Sequence, residues 1–409
     1  MQNTQTTKLT RATMMFPLAL VLFEFSVYIC NDLVQPAMLA ITKDFGVSST
    51  WAPSSMSFFL LGGAFIAGIL GPLSDRWGRK TVLLGGVVFF VITCLAILFT
   101  PNIESFIGLR FLQGFGLSVI GAVGYAAIQE TFEERDAIKV MALMANVSLL
   151  APLLGPVLGA FMIEHVSWHW GFIGIATLAL ISWFGLKGKM PDPKISRVKQ
   201  PLSYIWDDFK QVLRNKRFVT LTLSLPTIGM PLMLWIALSP VMLVEHLGLT
   251  SMQYGLAQIP VLGGLIAGNL FLMKIIDKMP LGQTVLRAVP MMFAGTLIIV
   301  AGLFVPDYFV YTLIIGMTLV SLGEGLSFSV IYRFALMSSE VSKGTVAAAL
   351  SVLMMLSFFF VIELVRMIYE AYDIWGYSIS CVGLIALWFG LPRACLKTLM
   401  AERKERGEF

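Results

Sequence analysis

Two carboxylates, Glu24 and Asp32, stand eight residues apart in the first long apolar run of the chain. On a helix that spacing is about 80° of rotation and about 12 Å of rise, so one broad face presents two acids at different depths. An acid inside an apolar span is costly to ionise, and desolvation brings proton uptake and release into the working pH range. A cation or dipolar solute beside such an acid stabilises the charged form, and a proton displaces it. That competition is the simplest chemistry for exchanging one for the other. A basic counterpart, Arg110, lies in a later apolar run, and the depth of the two runs puts it in the same layer as Asp32. A pair there offsets part of each group's desolvation, and protonating Asp32 would free Arg110 to move. Glu324 is a further acid near the middle of a span, at a depth close to that of Glu24. Glu363 and Arg366, three residues apart, can pair on one helix face.

These residues need elements that carry them into lipid. The chain has 409 residues, 57% hydrophobic and 13% charged, with a mean hydropathy of +0.83, against a soluble norm of roughly 45–50% apolar and 25% charged. A water-soluble globule is excluded, and so are disorder, collagen and a disulfide scaffold. A bilayer core about 30 Å thick needs about 20 apolar residues per helix, so this length holds about a dozen spans. The pattern predicts an all-α polytopic membrane protein with helices at about 13–41, 51–74, 81–99, 106–131, 140–163 and 170–187, then 218–244, 251–273, 286–304, 310–336, 346–369 and 375–396. Lys8 and Arg11 precede a first run too long for a signal-peptide core, which reads as a retained helix.

The longest connector, 188–217, divides the chain into six-helix halves at 1–187 and 218–409. Its second part places Leu202, Ile205, Trp206, Phe209 and Leu213 at helical spacing with Asp207, Asp208 and Lys210 between them, as an amphipathic helix on the membrane surface would. With twelve spans both termini share a face. About 25 of the 29 Lys and Arg residues fall on that face, which the positive-inside rule makes cytoplasmic. The basic excess therefore marks topology and headgroup contact. No aromatic-rich platform suggests a nucleic-acid partner.

Cys30, Cys94, Cys381 and Cys395 lie in or at the ends of apolar runs without paired short spacing, and His165, His169 and His246 fall in connectors. Neither set has metal-ligand spacing, so no metal or cofactor is expected. No G-x-S-x-G, H-E-x-x-H or P-loop pattern occurs, which argues against hydrolysis and direct ATP drive.

Three segments have motif character. Gly71-Pro72-Leu73-Ser74-Asp75-Arg76-Trp77-Gly78-Arg79-Lys80 turns tightly from span 2 into span 3, and Asp75 with Arg76 and Arg79 can latch neighbouring helix ends. Leu109-Arg110-Phe111-Leu112-Gln113-Gly114 lies in span 4. Ala151-Pro152-Leu153-Leu154-Gly155-Pro156-Val157-Leu158-Gly159-Ala160 lies in span 5, where Pro152 and Pro156 remove backbone donors and Gly155 and Gly159 permit close helix packing. The first resembles the loop signature of the major facilitator superfamily, G-x-L-x-D-R-x-G-R-[RK], at every position. The second is similar to its intramembrane Arg motif. The third resembles its antiporter motif, with Ala151 and Ala160 standing where glycines are usual.

Phe23-Glu24-Phe25-Ser26-Val27-Tyr28-Ile29-Cys30-Asn31-Asp32-Leu33-Val34-Gln35-Pro36 closely resembles span 1 of the MdfA-type multidrug/proton antiporters, and Gly121 to Glu130 continues the likeness in span 4. Within that group the chain looks nearest to chloramphenicol exporters. The resemblance covers nearly the whole chain and implies the twelve-helix major facilitator fold. It implies export of small lipophilic neutral and cationic compounds against protons by alternating access, through a monomer in the inner membrane. It further implies that Glu24 recognises drug and titrates, Asp32 titrates, Arg110 couples conformation, and Tyr28, Asn31 and Tyr125 line the cavity. Glu324 departs from the pattern, which has an apolar residue between the two glycines, and it would add a second substrate-facing carboxylate or a structural hydrogen bond. The rival expectation, an uptake symporter of the same superfamily, is disfavoured by the two span-1 acids and the span-5 motif.

Overall fold

The computed structural model describes residues 8–10, 13–191, 202–280, 282–339, 341 and 343–405. Arg11 and residues 192–201 of the connector lie outside them. Among the described residues there is helix and no strand. Ten stretches are long and apolar enough to cross a membrane; the last, 344–402, contains spans 11 and 12, and span 5 contributes the shorter apolar Leu150–His165. Together they make the twelve expected spans.

Local chemistry sets the ends. Asn102 caps span 4 by accepting from the Ser105 amide at 2.9 Å. Asn215 caps span 7 with bonds from the Arg217 and Phe218 amides at 3.0 and 3.1 Å, and Thr250 with Gln253 forms a reciprocal capping box on span 8. Gly78, at φ +91°, turns span 2 into span 3, and Gly282, at φ +96°, makes the corresponding turn into span 9. Only glycine adopts such angles without strain. The loops after spans 2 and 8, unlike in sequence, share this glycine turn.

Several spans depart from the uninterrupted helices expected. Span 1 is two helices, Met15–Asp32 and Val34–Asp44. Pro36 has no N–H to give the Asp32 carbonyl, so the ladder breaks at Leu33. Span 4 runs Ile103–Gln113, Phe115–Ser118, a π-helical turn Val119–Gly124, and Tyr125–Thr131. Spans 11 and 12 form one run, Lys343–Trp388, broken at Asp373 (φ +48°, ψ −138°), and a separate helix, Leu391–Glu405, follows. The amphipathic helix of the connector is present at Leu202–Arg214.

The chain divides into two compact units. The first comprises Met1–Ser48 and Phe58–Tyr204, the second Ser49–Ser57 and Ile205–Phe409. In the first, span 1 packs on spans 5 and 6, and span 3 on span 6. In the second, span 10 packs on spans 7, 8 and 9, and span 7 also packs on the spans 11–12 helix. Near the N-terminus the Leu9 amide donates to Asp136 at 2.8 Å, and Lys139 pairs with the same carboxylate at 2.8 Å. These two bonds, Lys139 first, hold the Asp136 carboxyl below its usual range.

Candidate functional site

The first unit gathers the span-1 acids with span 4. Glu24 is fully buried and accepts a hydrogen bond from the Tyr125 hydroxyl at 3.1 Å. Tyr125 is the first residue after the π-helical turn of span 4. A π turn inserts a residue into the helical register, so everything beyond it rotates relative to a plain helix. Tyr28, one turn further along span 1 than Glu24, is half-buried.

Asp32 and Arg110 are both buried and belong to one network. The Asn31 side chain donates through Nδ2 to Asp32 Oδ1 at 3.1 Å and accepts through Oδ1 from Arg110 Nη2 at 3.3 Å. Arg110 Nη1 also donates to Gln113 Oε1 at 2.7 Å and to the Cys30 carbonyl at 3.3 Å. Its guanidinium lies 4.7 Å from the centre of the Phe59 ring. A buried cation is tolerable only when its donors are filled this way, and the planar fork of arginine suits a split set of acceptors. Gln113 went unassigned in the sequence, although its position three residues after Arg110, on the same helix face, is the signal that finds it.

Span 5 presses on the acid itself. A Cβ added at Gly155 would lie 2.5 Å from the Asp32 Cβ, and one at Gly159 would overlap the Leu33 carbonyl and approach Pro36 Cγ at 2.6 Å. The two motif glycines therefore seat span 5 on the break in span 1. Pro152 and Pro156 lie within the continuous helix Glu134–His165. Periodicity alone does not reveal this contact, because it pairs two helices more than a hundred residues apart.

The loop motif after span 2 is also an assembled unit. Arg79 pairs with Asp75 at 2.6 Å and with Glu130 at 3.0 Å, and it donates to the Gly71 carbonyl at 3.4 Å and to Ser74. Gly78 supplies the turn, and Arg76 is exposed. Glu130, at the end of span 4, is the partner that motif reading alone did not single out.

Glu324 belongs to the second unit. Its flanking glycines hold span 10 on two neighbours: a Cβ at Gly325 would overlap the Leu265 carbonyl of span 8, and one at Gly323 would overlap Met292 of span 9. Glu324 is left to face span 7, where a Cβ at Gly229 would stand 3.3 Å from its Oε1. The residue is 6% exposed, and its buried Oε2 has no hydrogen-bond partner among the described residues. Among the same residues no cluster of three or more His, Cys, Asp or Glu side chains could hold a metal.

A model described as Major Facilitator Superfamily matches residues 20–362. The chain is 67% identical over 403 residues to the chloramphenicol resistance protein CraA of Acinetobacter baumannii, covering 98% of each. It is 44% identical over 386 residues to the multidrug transporter MdfA of Yersinia pestis, covering 94% of each. Among solved structures, a D-xylose-proton symporter matches with a TM-score of 0.72 at 17% identity, covering 93% of this chain and 97% of that one. At that identity the likeness shows the fold alone.

Proposed function

The chain belongs to the Major Facilitator Superfamily, a family of transporters and not of enzymes, and from that footing we propose that it is a proton-coupled multidrug efflux antiporter. It exports small lipophilic neutral and cationic compounds, chloramphenicol-like drugs among them, by alternating access between two functional halves, 1–187 and 218–409. Kinship with a chloramphenicol resistance protein and with multidrug transporters over nearly the full length supports the substrate class.

The observation that carries the coupling is the pair of buried span-1 carboxylates with separate partners, Glu24 on Tyr125 and Asp32 on Asn31. Glu24 meets the drug and exchanges it for a proton. Asp32 exchanges a proton and, through Asn31, passes the change to Arg110. Gly155 and Gly159, with Pro152 and Pro156, keep span 5 seated on that switch. The Asp75, Arg76, Gly78 and Arg79 loop latches one state of its own face. Tyr28, Asn31, Tyr125 and Glu324 complete the substrate surface.

The protein is multi-pass; we assign it to the inner membrane with both termini cytoplasmic, acting as a monomer without cofactor, metal or nucleic-acid partner. Each entering proton brings about 2.3 kcal/mol per 100 mV and about 1.4 kcal/mol per pH unit, so one proton supports roughly a few-hundred-fold drug gradient.

Everted vesicles energised by respiration test the proposal. Adding drug should release protons from wild-type vesicles and not from vesicles carrying Glu24→Gln with Asp32→Asn. Drug uptake driven by an inward proton gradient into intact cells would instead assign the chain to the symporters.

A further inference from the structure

Building on that transport cycle, we propose that Glu363 is a positioning residue for it, the centre of a reversible polar latch that holds the first turn of span 2 on span 11. Glu363, Arg366 and Glu370 follow one another at spacings of three and four, so they share one face of span 11. Ser57 donates its hydroxyl to Glu363 Oε1, while Arg366 Nε donates to Glu363 Oε2 at 2.9 Å. Arg366 Nη1 stands 3.7 Å from Glu370 Oε2, and its guanidinium lies 5.9 Å from the centre of the Trp51 ring. Two side chains from the start of span 2 are thus gripped by one carboxylate and one guanidinium of span 11. Both oxygens of Glu363 are thus occupied, one by the Ser57 hydroxyl and one by the Arg366 guanidinium.

The remainder of span 2 is held by different means. A Cβ at Gly62 would overlap the Phe111 carbonyl, and one at Gly114 would overlap that of Phe59, so spans 2 and 4 touch backbone to backbone. Contacts of that kind do not open by a side-chain rotation. The latch does: the Glu363 and Arg366 side chains are each 20% exposed, and rotation of their own long stems parts the charged heads from their partners. A helix held backbone to backbone at its middle and fastened by partly exposed side chains at one end has the construction of a part that is released and recaptured. None of these side chains belongs to the span-1 network, so the latch controls how often the transporter turns over and leaves drug affinity untouched.

Ser54 provides a reporter, since it is 1% exposed and its hydroxyl has no hydrogen-bond partner among the described residues. In S54C, an impermeant maleimide applied to intact cells reads release of the span-2 turn; the blank is the parent with its half-buried Cys395 replaced by serine, since Cys30, Cys94 and Cys381 are buried, and S54C is made on that same background. Adding E363Q should raise the labelling rate about tenfold, and by itself should lower the maximal export rate about tenfold with drug KM changed less than twofold. E363D, which keeps the charge, should recover part of both. Unchanged labelling in E363Q overturns the proposal, as does a KM rise that accounts for the export loss. An equal fall in thermal unfolding midpoint for E363Q and W51F with no labelling change also overturns it, since that marks a fixed structural pair. Drug-induced proton release by the parent is the separate check on the proposed function, and the labelling ratio is read whether or not that release occurs.

Discussion

Arg110 Nη2 donates to Asn31 Oδ1 over 3.3 Å, and the other end of the same amide holds Asp32. One uncharged side chain thus stands in the path joining a buried acid to a buried base. In the proposed cycle, protonation at Asp32 would change what Asn31 Nδ2 faces, and the amide would pass that change to the guanidinium. This geometry makes Arg110, and not the acid alone, the sensitive member.

Arg110→Lys should therefore fail although the charge is kept. An ammonium cannot reach Gln113 and Asn31 with one planar fork, and each charged hydrogen bond lost is worth about 1.5–3 kcal/mol. Export in everted vesicles should fall at least about tenfold at equal protein level. Wild-type rates in the lysine variant would remove Arg110 from the switch.

Tyr125→Phe deletes only the hydroxyl that reaches Glu24 at 3.1 Å. One hydrogen bond is lost, worth about 0.5–1.5 kcal/mol, so drug binding should weaken by up to about tenfold while the fold is kept. Equilibrium binding of labelled drug to purified protein is the measurement. An unchanged affinity would put Glu24 outside the drug contact.

Gly155→Ala puts a methyl 2.5 Å from the Asp32 Cβ. Neither backbone can yield without separating spans 1 and 5, an overpacking that costs about 1–3 kcal/mol. A lower unfolding temperature in detergent, together with loss of export, is expected. Gly174→Ala, whose added Cβ would have nothing within 4 Å, should show neither effect.

Glu324→Gln keeps the shape and removes the ionisable group that faces span 7. Export of monovalent cationic drugs should drop relative to neutral chloramphenicol by about tenfold, the worth of one desolvated charge contact of about 1.4 kcal/mol. Parallel resistance measurements on cationic and neutral compounds decide it, and an unchanged ratio would make Glu324 structural.

The Asp136 tether gives a pH test. Its carboxyl lies below the usual value when folded, because Lys139 and the Leu9 amide favour the charged form. Its contribution is therefore complete above the unfolded value of about 3.9 and is lost as pH falls through the folded one. Trypsin cleavage after Lys8, divided at each pH by trypsin's rate on an unstructured peptide, should be slow and constant from about pH 6 to 8, and faster at every pH in Asp136→Asn. A rate that changes across that window in the wild-type protein would contradict the assignment.

Particular residues show where sequence reading reached and where it stopped. Glu24 and Asp32 stood out because an acid in an apolar run is rare and costly. Their depth order followed from helical rise. Tyr125 and Asn31 came only through family resemblance, since a lone tyrosine or asparagine in a span has no periodic signature. Glu130, Gln113 and the seating of Gly155 on Asp32 emerged with the structure, as did the Ser57 to Glu363 bond, whose partners are separated by 306 positions.

By itself the sequence determined that this chain is a bundle of membrane helices, which runs cross the bilayer, and which few polar groups are buried there. Hydropathy and charge act locally along the chain, so a linear reading recovers them. The tertiary structure alone decided the azimuth of each helix and the partners of each buried group. A span that is apolar all round has no preferred face, and its rotation is set by glycines that admit a neighbour's backbone, by Pro36 breaking span 1, and by the π-helical turn that carries Tyr125 round to Glu24.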